Sequence, residues 1–155
     1  MTGKLKHEIK QNKPFSSLEQ EAYLNLVVLI QELSAGIMTL LRTANLSMPQ
    51  YNVLRILRGA GRQGLTCRET GERMVHRVPD VTRLLDRLEK RGLVEREREK
   101  KDRRIVRVRI TQEGLNVLAP LDGPIEEMHR KQLGHLGETR LQDFIQLIEE
   151  ARNGL

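Results

Sequence analysis

The sequence predicts a mainly α-helical fold broken once by a small β-hairpin. Three observations carry this. Apolar residues recur at helical spacing along most of the chain. Capping residues stand at the starts of those runs. Between residues 93 and 110 the period switches to two. Of the 155 residues, 38% are apolar but only 3% aromatic, so the core must be aliphatic. That length suits one domain with helical extensions. Cys67 is the only cysteine, which excludes a disulfide framework. The longest unbroken apolar run is Leu26 to Ile30, and on that ground a membrane span is excluded. The N-terminal stretch lacks the apolar segment of a secretory signal, so a cytoplasmic location is expected.

Residues 1–14 read as a polar, Lys-rich tail. A helix starts at Ser16 or Ser17, since Glu19 and Gln20 complete a capping box in either register. Leu18, Ala22, Leu26, Ile30, Leu33, Ile37, Leu40, Leu41 and Ala44 form its stripe. Leu24, Val27, Val28, Leu29 and Met38 lie off that stripe. A helix apolar on more than one face needs two partners, and a second subunit is the simplest second one. Ser47, Pro49 and Gln50 start the next helix, which Gly59 and Gly61 close. Leu65 and Thr66 open a short third helix, with Thr66 and Glu69 as its capping box. A turn at Arg77 to Pro79 leads into a helix over 79–91 that Gly92 stops. Leu93 to Glu97 and the alternating Val106, Val108 and Ile110 then form a hairpin around a long tip. Thr111 begins a helix that Pro120, Gly123 and Pro124 should kink or interrupt. Gly134 and Gly137 make a joint before a last helix, which ends at Gly154.

The formal net charge is +6, and it is concentrated. Residues 62–109 hold 16 Lys/Arg and 9 Asp/Glu, a net of +7, which leaves the remainder at −1. This is the footprint of a polyanion-binding module, although a solvated charged face would look the same. On the helix 79–91, Val81, Leu84, Leu85 and Leu88 share one face. Arg83, Asp86, Arg87 and Lys90 share the other, with Asp80 and Thr82 on the flanks. Arg can pair with guanine edges, and Thr with a base or a thymine methyl. The alternative is a solvent face with an Asp86–Lys90 ion pair. In the hairpin, Asp102 is placed to orient the guanidinium of Arg104, beside Lys101 and Arg103. Three helices followed by a charged hairpin make a winged helix-turn-helix plan, with one helix for the major groove and the hairpin beside it.

The stretch VTRLLDRLEKRGLVEREREKKDRRIVRVRITQEG, from Val81 to Gly114, resembles the multiple antibiotic resistance regulator (MarR) family. The wing pattern is carried by Asp102, Arg104, Val106, Val108, Thr111 and Gly114. The recognition-helix pattern is carried by Val81, Thr82, Arg83, Leu84, Leu88, Gly92, Leu93 and Val94. The resemblance implies a homodimeric DNA-binding transcription regulator, a repressor on a pseudo-palindromic operator, released by a small-molecule effector. It implies that Arg83 and Thr82 read bases and that Arg104 enters the minor groove. Arg77 and Thr66 would lie near phosphates. The implied boundaries are a tail over 1–14, dimerisation helices over 15–46 and 112–155, and a DNA-binding region over 47–111. Two departures stand out. Glu69 is followed by Thr70 and Gly71, and mid-helix Gly costs about 1 kcal/mol relative to Ala. Asp80 puts a carboxylate beside the expected DNA face, which suggests an altered base preference.

Other classes are weaker. No enzyme signature occurs. His129 and His135 with Glu126 and Glu127 do not have metal-ligand spacing, so no metal or cofactor is expected. Cys67, one residue past Thr66, reads as structural rather than redox-sensing. The lining of an effector pocket is not legible. A protein-interaction module and a nonspecific nucleoid-binding protein both remain as alternatives, each using the basic hairpin.

Overall fold

The computed structural model describes residues 4–155. It forms two compact units, one reaching to Ile37 and the other running from Met38 to Leu155. The first holds helix α1 (Lys4–Glu8) and most of helix α2 (Leu18–Thr43). Part of the polar tail is therefore helical, while its residues 1–3 lie outside the described residues. The two predicted starts of α2 merge into one. Ser17 Oγ accepts the Gln20 amide at 3.1 Å, and Gln20 Oε1 reaches back to the Ser16 amide at 2.8 Å.

Helix α2 buries Ile37 and Leu41 but leaves Leu18, Tyr23, Leu26 and Ile30 exposed, Leu18 at 72% and Ile30 at 61%. It is also long and apolar enough, by length and composition, to cross a membrane. The exclusion drawn from run length is thus too narrow. Scattered polar residues shorten the runs without lowering the apolar content of the whole helix.

The second unit is built from α3 (Met48–Ala60), β1 (Leu65–Thr66), α4 (Cys67–Glu72), α5 (Val81–Lys90), β2 (Val94–Arg98), β3 (Val106–Ile110), α6 (Gln112–Leu133) and α7 (Glu138–Asn153). Single 3-10 turns follow α3 and α6. Capping boxes start α3 at Ser47 and α4 at Thr66, as their sequences predict. The aliphatic core comprises Val53, Leu54 and Leu57 of α3, Leu85 and Leu88 of α5, Val94 and Val108 of the sheet, and Leu118, Leu121 and Ile125 of α6.

Three predictions about elements need correction. Leu65 and Thr66 form a strand, so the sheet has three antiparallel strands in the order β1-β3-β2, with Leu65 opposite Val108 and Val94 opposite Ile110. Two residues are too few to show a period, and β1 exists because β3 offers it an edge. Helix α5 starts at Val81, not at 79. The Asp80 carboxylate caps it by accepting the Arg83 amide at 2.9 Å, which leaves Pro79 outside. Helix α6 runs unbroken through Pro120 and Pro124. Each proline deletes one backbone bond, but buried Leu118, Leu121 and Ile125 hold the helix on both sides.

Thr111 joins α6 to the wing. Its hydroxyl donates to the Gly92 carbonyl at 2.6 Å and accepts the Gly114 amide at 3.1 Å. A Cβ on Gly114 would collide with the Leu93 carbonyl oxygen and lie 2.6 Å from Ile110 Cγ1. Arg58 of α3 binds Asp122 of α6 through two bonds, at 2.8 and 2.9 Å. These bonds hold the Asp122 carboxyl below its usual range.

Gly114→Ala is expected to destabilise the protein by about 1–3 kcal/mol, because backbone must move to admit the methyl; urea unfolding measures this. A depressed carboxylate contributes stability above its unfolded-state pKa and loses it as pH falls through the lower folded-state value. Asp122→Asn should therefore be less stable than wild type near neutral pH. The gap should close as melts are repeated on the acid side of about pH 4.

Candidate nucleic-acid interface

Helix α5 presents two faces. Leu85 and Leu88 are buried, while Thr82, Arg83, Arg87 and Lys90 are exposed. The buried stripe sets which side of the helix meets the core, since rolling would expose leucine and bury charge. Arg96 of β2 adds directional bonds to that packing. Its Nη1 donates to Asp86 Oδ1 at 2.6 Å and to Glu89 Oε2 at 2.9 Å, and its Nη2 lies 3.4 Å from the Thr82 carbonyl oxygen. These three positions follow one another along a single stripe of α5. Asp86 is thus bound to the wing and not to Lys90. The Thr82 hydroxyl lies 3.4 Å from Cys67 Sγ, which ties α5 to the first residue of α4.

The turn between α4 and α5 is held from behind. Asn52 Oδ1 of α3 accepts the amides of Val75 and His76 at 2.9 and 3.3 Å. Gly71 permits close packing of α4 on α5, since a Cβ there would lie 3.1 Å from Val81 Cγ2. Exposed Arg77 shares an open groove of about 450 Å³ with Cys67, Arg68, Gly71, Glu72, Val78 and Val81.

The wing carries a lattice of charges. Arg107 pairs with Glu99 and Glu69, and Arg109 with Glu97. At the tip, Asp102 accepts the backbone amide of Arg104 at 2.9 Å. It shapes the turn and does not grip the Arg104 guanidinium as expected, because the short Asp side chain reaches a backbone amide two residues on, as in an Asx turn, while the guanidinium stands at the end of a long side chain. Ile105 N donates to the Asp102 carbonyl and Glu99 N to the Ile105 carbonyl, so the tip is closed by its own bonds. Lys101, Asp102, Arg103 and Arg104 are all exposed.

The candidate residues therefore sort by task. Thr66 spends its hydroxyl on the Glu69 amide at 3.2 Å, and its own amide donates to the Glu69 carboxylate. Those contacts with Thr66 hold the Glu69 carboxyl below its usual range. Asp80 and Asp102 likewise serve as local acceptors. Arg77, Arg83, Arg87, Lys101, Arg103 and Arg104 are exposed, and among the described residues their side chains have no ion-pair partner. The sequence reading missed Asn52, Arg91 and Arg96. A polar residue inside a buried helix was the signal for Asn52; the two arginines look like any other surface charge.

A three-helix head with a recognition-helix position and a hairpin wing defines a winged helix-turn-helix protein. The MarR family model matches residues 46–106. A MarR transcription factor from Planctomyces limnophilus is 40% identical, and the superposition covers 88% of this chain and 98% of that one with a TM-score of 0.66. The HTH-type transcriptional regulator YfiV of Bacillus subtilis is 32% identical over 106 residues, 68% of this chain. That match spans 65% of the length of YfiV. The PcaV regulator of Streptomyces coelicolor, solved with its natural ligand, is 27% identical and covers 91% of this chain and 98% of its own, with a TM-score of 0.69. The chain belongs to the MarR family of transcription regulators.

Arg96→Ala strips Asp86 and Glu89 of their shared cation, and both are partly exposed. It is expected to cost about 1 kcal/mol of stability in thermal melts. Added salt should narrow the difference from wild type.

Proposed function

We propose that the protein is a sequence-specific DNA-binding repressor that acts as a homodimer on a pseudo-palindromic operator. One observation carries this: all the acidic residues of the head but exposed Glu95 are engaged by arginines or backbone amides. Glu69, Glu72, Asp86, Glu89, Glu97 and Glu99 pair with arginines, and Asp80 and Asp102 accept backbone amides. Arg77, Arg83, Arg87, Lys101, Arg103 and Arg104 stay exposed, with no ion pair among the described residues. The excess of +7 in this segment thus acts on the solvent side of α5 and the wing. Arg83 and Arg87 face the major groove, with Thr82 at the edge of the contact. Arg104 at the closed tip enters the minor groove, and Lys101 and Arg103 meet phosphates there. Arg77 and the α4 start at Thr66 lie toward the backbone as well.

The exposed apolar residues of α2, and Ile145 and Leu147 of α7, support a second copy as their cover. A DNA-binding regulator of this kind would be cytoplasmic and bound to the nucleoid. PcaV, with its natural ligand, supports release by a small-molecule effector.

Selection from random duplexes should yield a symmetric site whose halves lie one helical turn apart. A protein that enriches no duplex at any salt concentration sinks the reading. Arg83→Ala should cost about 1–3 kcal/mol and relax base preference at one position of each half-site in anisotropy titrations. Arg104→Ala should weaken all duplexes alike and lower the salt slope by about 1.

A further inference from the structure

The carboxy-terminal end of α2 is closed by a left-handed turn. Asn45 has φ of 52°, Asn45 N donates to the Arg42 carbonyl at 3.0 Å, and Leu46 N donates to the Leu41 carbonyl at 3.0 Å. This is the double bond pattern that ends many helices. It leaves the carbonyls of Ala44 and Asn45 pointing outward, at the negative end of the helix dipole. Both are taken by one side chain from far along the sequence. Arg91 Nη1 donates to the Asn45 oxygen at 2.7 Å, and Nη2 lies 3.4 Å from the Ala44 oxygen. Arg91 is also the residue that ends α5. One guanidinium therefore joins the carboxy-terminal ends of two helices.

We propose that Arg91 is a positioning residue that registers the recognition helix against the end of α2, and through it sets the separation of the two recognition helices in the dimer. The inference rests on the proposed function, in which α2 carries the dimer and α5 enters the groove. Arg91 itself touches no DNA in this scheme. Its bonds to backbone carbonyls, unlike bonds to mobile side chains, fix a distance to the helix itself. The planar fork holds both carbonyls at once, which an ammonium group cannot do in the same geometry. The leverage is large. Helix α5 has 10 residues and is about 15 Å long, so a tilt of about 10° about its end moves the far end by about 2.6 Å. Arg83, two residues in from that end, moves by about 2 Å, which carries it beyond hydrogen-bonding distance of a base edge.

The test uses the full chain and the duplex it selects, remade with the half-sites moved closer or farther by one and two base pairs. Wild type should bind one separation far better than its neighbours. Arg91→Gln should lose about tenfold on the best duplex and discriminate less between separations. Its affinity for random duplex and its salt slope should match wild type. Arg91→Lys, which keeps the charge but not the fork, should fall between the two. A salt slope lowered by about 1 would make Arg91 a phosphate contact and overturn the proposal. So would an Arg91→Gln protein as sharply tuned to separation as wild type, or one weakened equally on every separation. A wild type that selects no duplex overturns the regulator reading itself, which is a different failure.

Discussion

The placement of the recognition helix depends on one half-buried arginine. Helix α5 has a narrow apolar stripe, which turns it toward the core. Arg96 pins that placement with directional bonds, by fastening Asp86 and Glu89 to the wing strand that also forms the sheet. The same bond brings the wing and the helix into one body, because β2 is paired along its length with β3. The directional bonds of a guanidinium add to what burial sets.

Much of this was legible in the sequence, and what was not follows a pattern. Stripes, capping boxes and the hairpin are periodic or local signals, so the helices and both long wing strands stand close to where they were expected. The two-residue strand β1 has no local signal and is created by its partner. The start of α5 moved because Asp80 outcompetes Pro79 in setting the first turn. Charge counting found the head but could not sort its members. Asp80 and Asp102 look like parts of a binding surface in the sequence, yet both accept amides that the backbone would otherwise leave open. Arg91 and Arg96 look like surface charge, yet each joins elements that lie apart in the chain. Pairing is a tertiary property, and no composition statistic contains it.

The prolines of α6 illustrate the limit of propensity arguments. Each costs a backbone bond, and with Gly123 they predict a kink or an interruption. The helix continues because its buried side gains more from staying in register than the exposed side loses. Glycine shows the reverse case. Gly71 weakens α4 by propensity, but its missing Cβ lets Val81 approach, so a local loss becomes a packing gain.

Asn52 has a consequence for how such a protein could diversify. Its carboxamide grips the amides of Val75 and His76, not their side chains. At Val75 and His76 the path of the α4–α5 turn is therefore held from α3 through the backbone. Val75 stands 81% exposed on that turn and contributes nothing to the core. The exposed side chains of Val75 and His76 can change without refolding the head. The scaffold and the lettering of the turn are separate inheritances, and a lineage can rewrite the second while keeping the first.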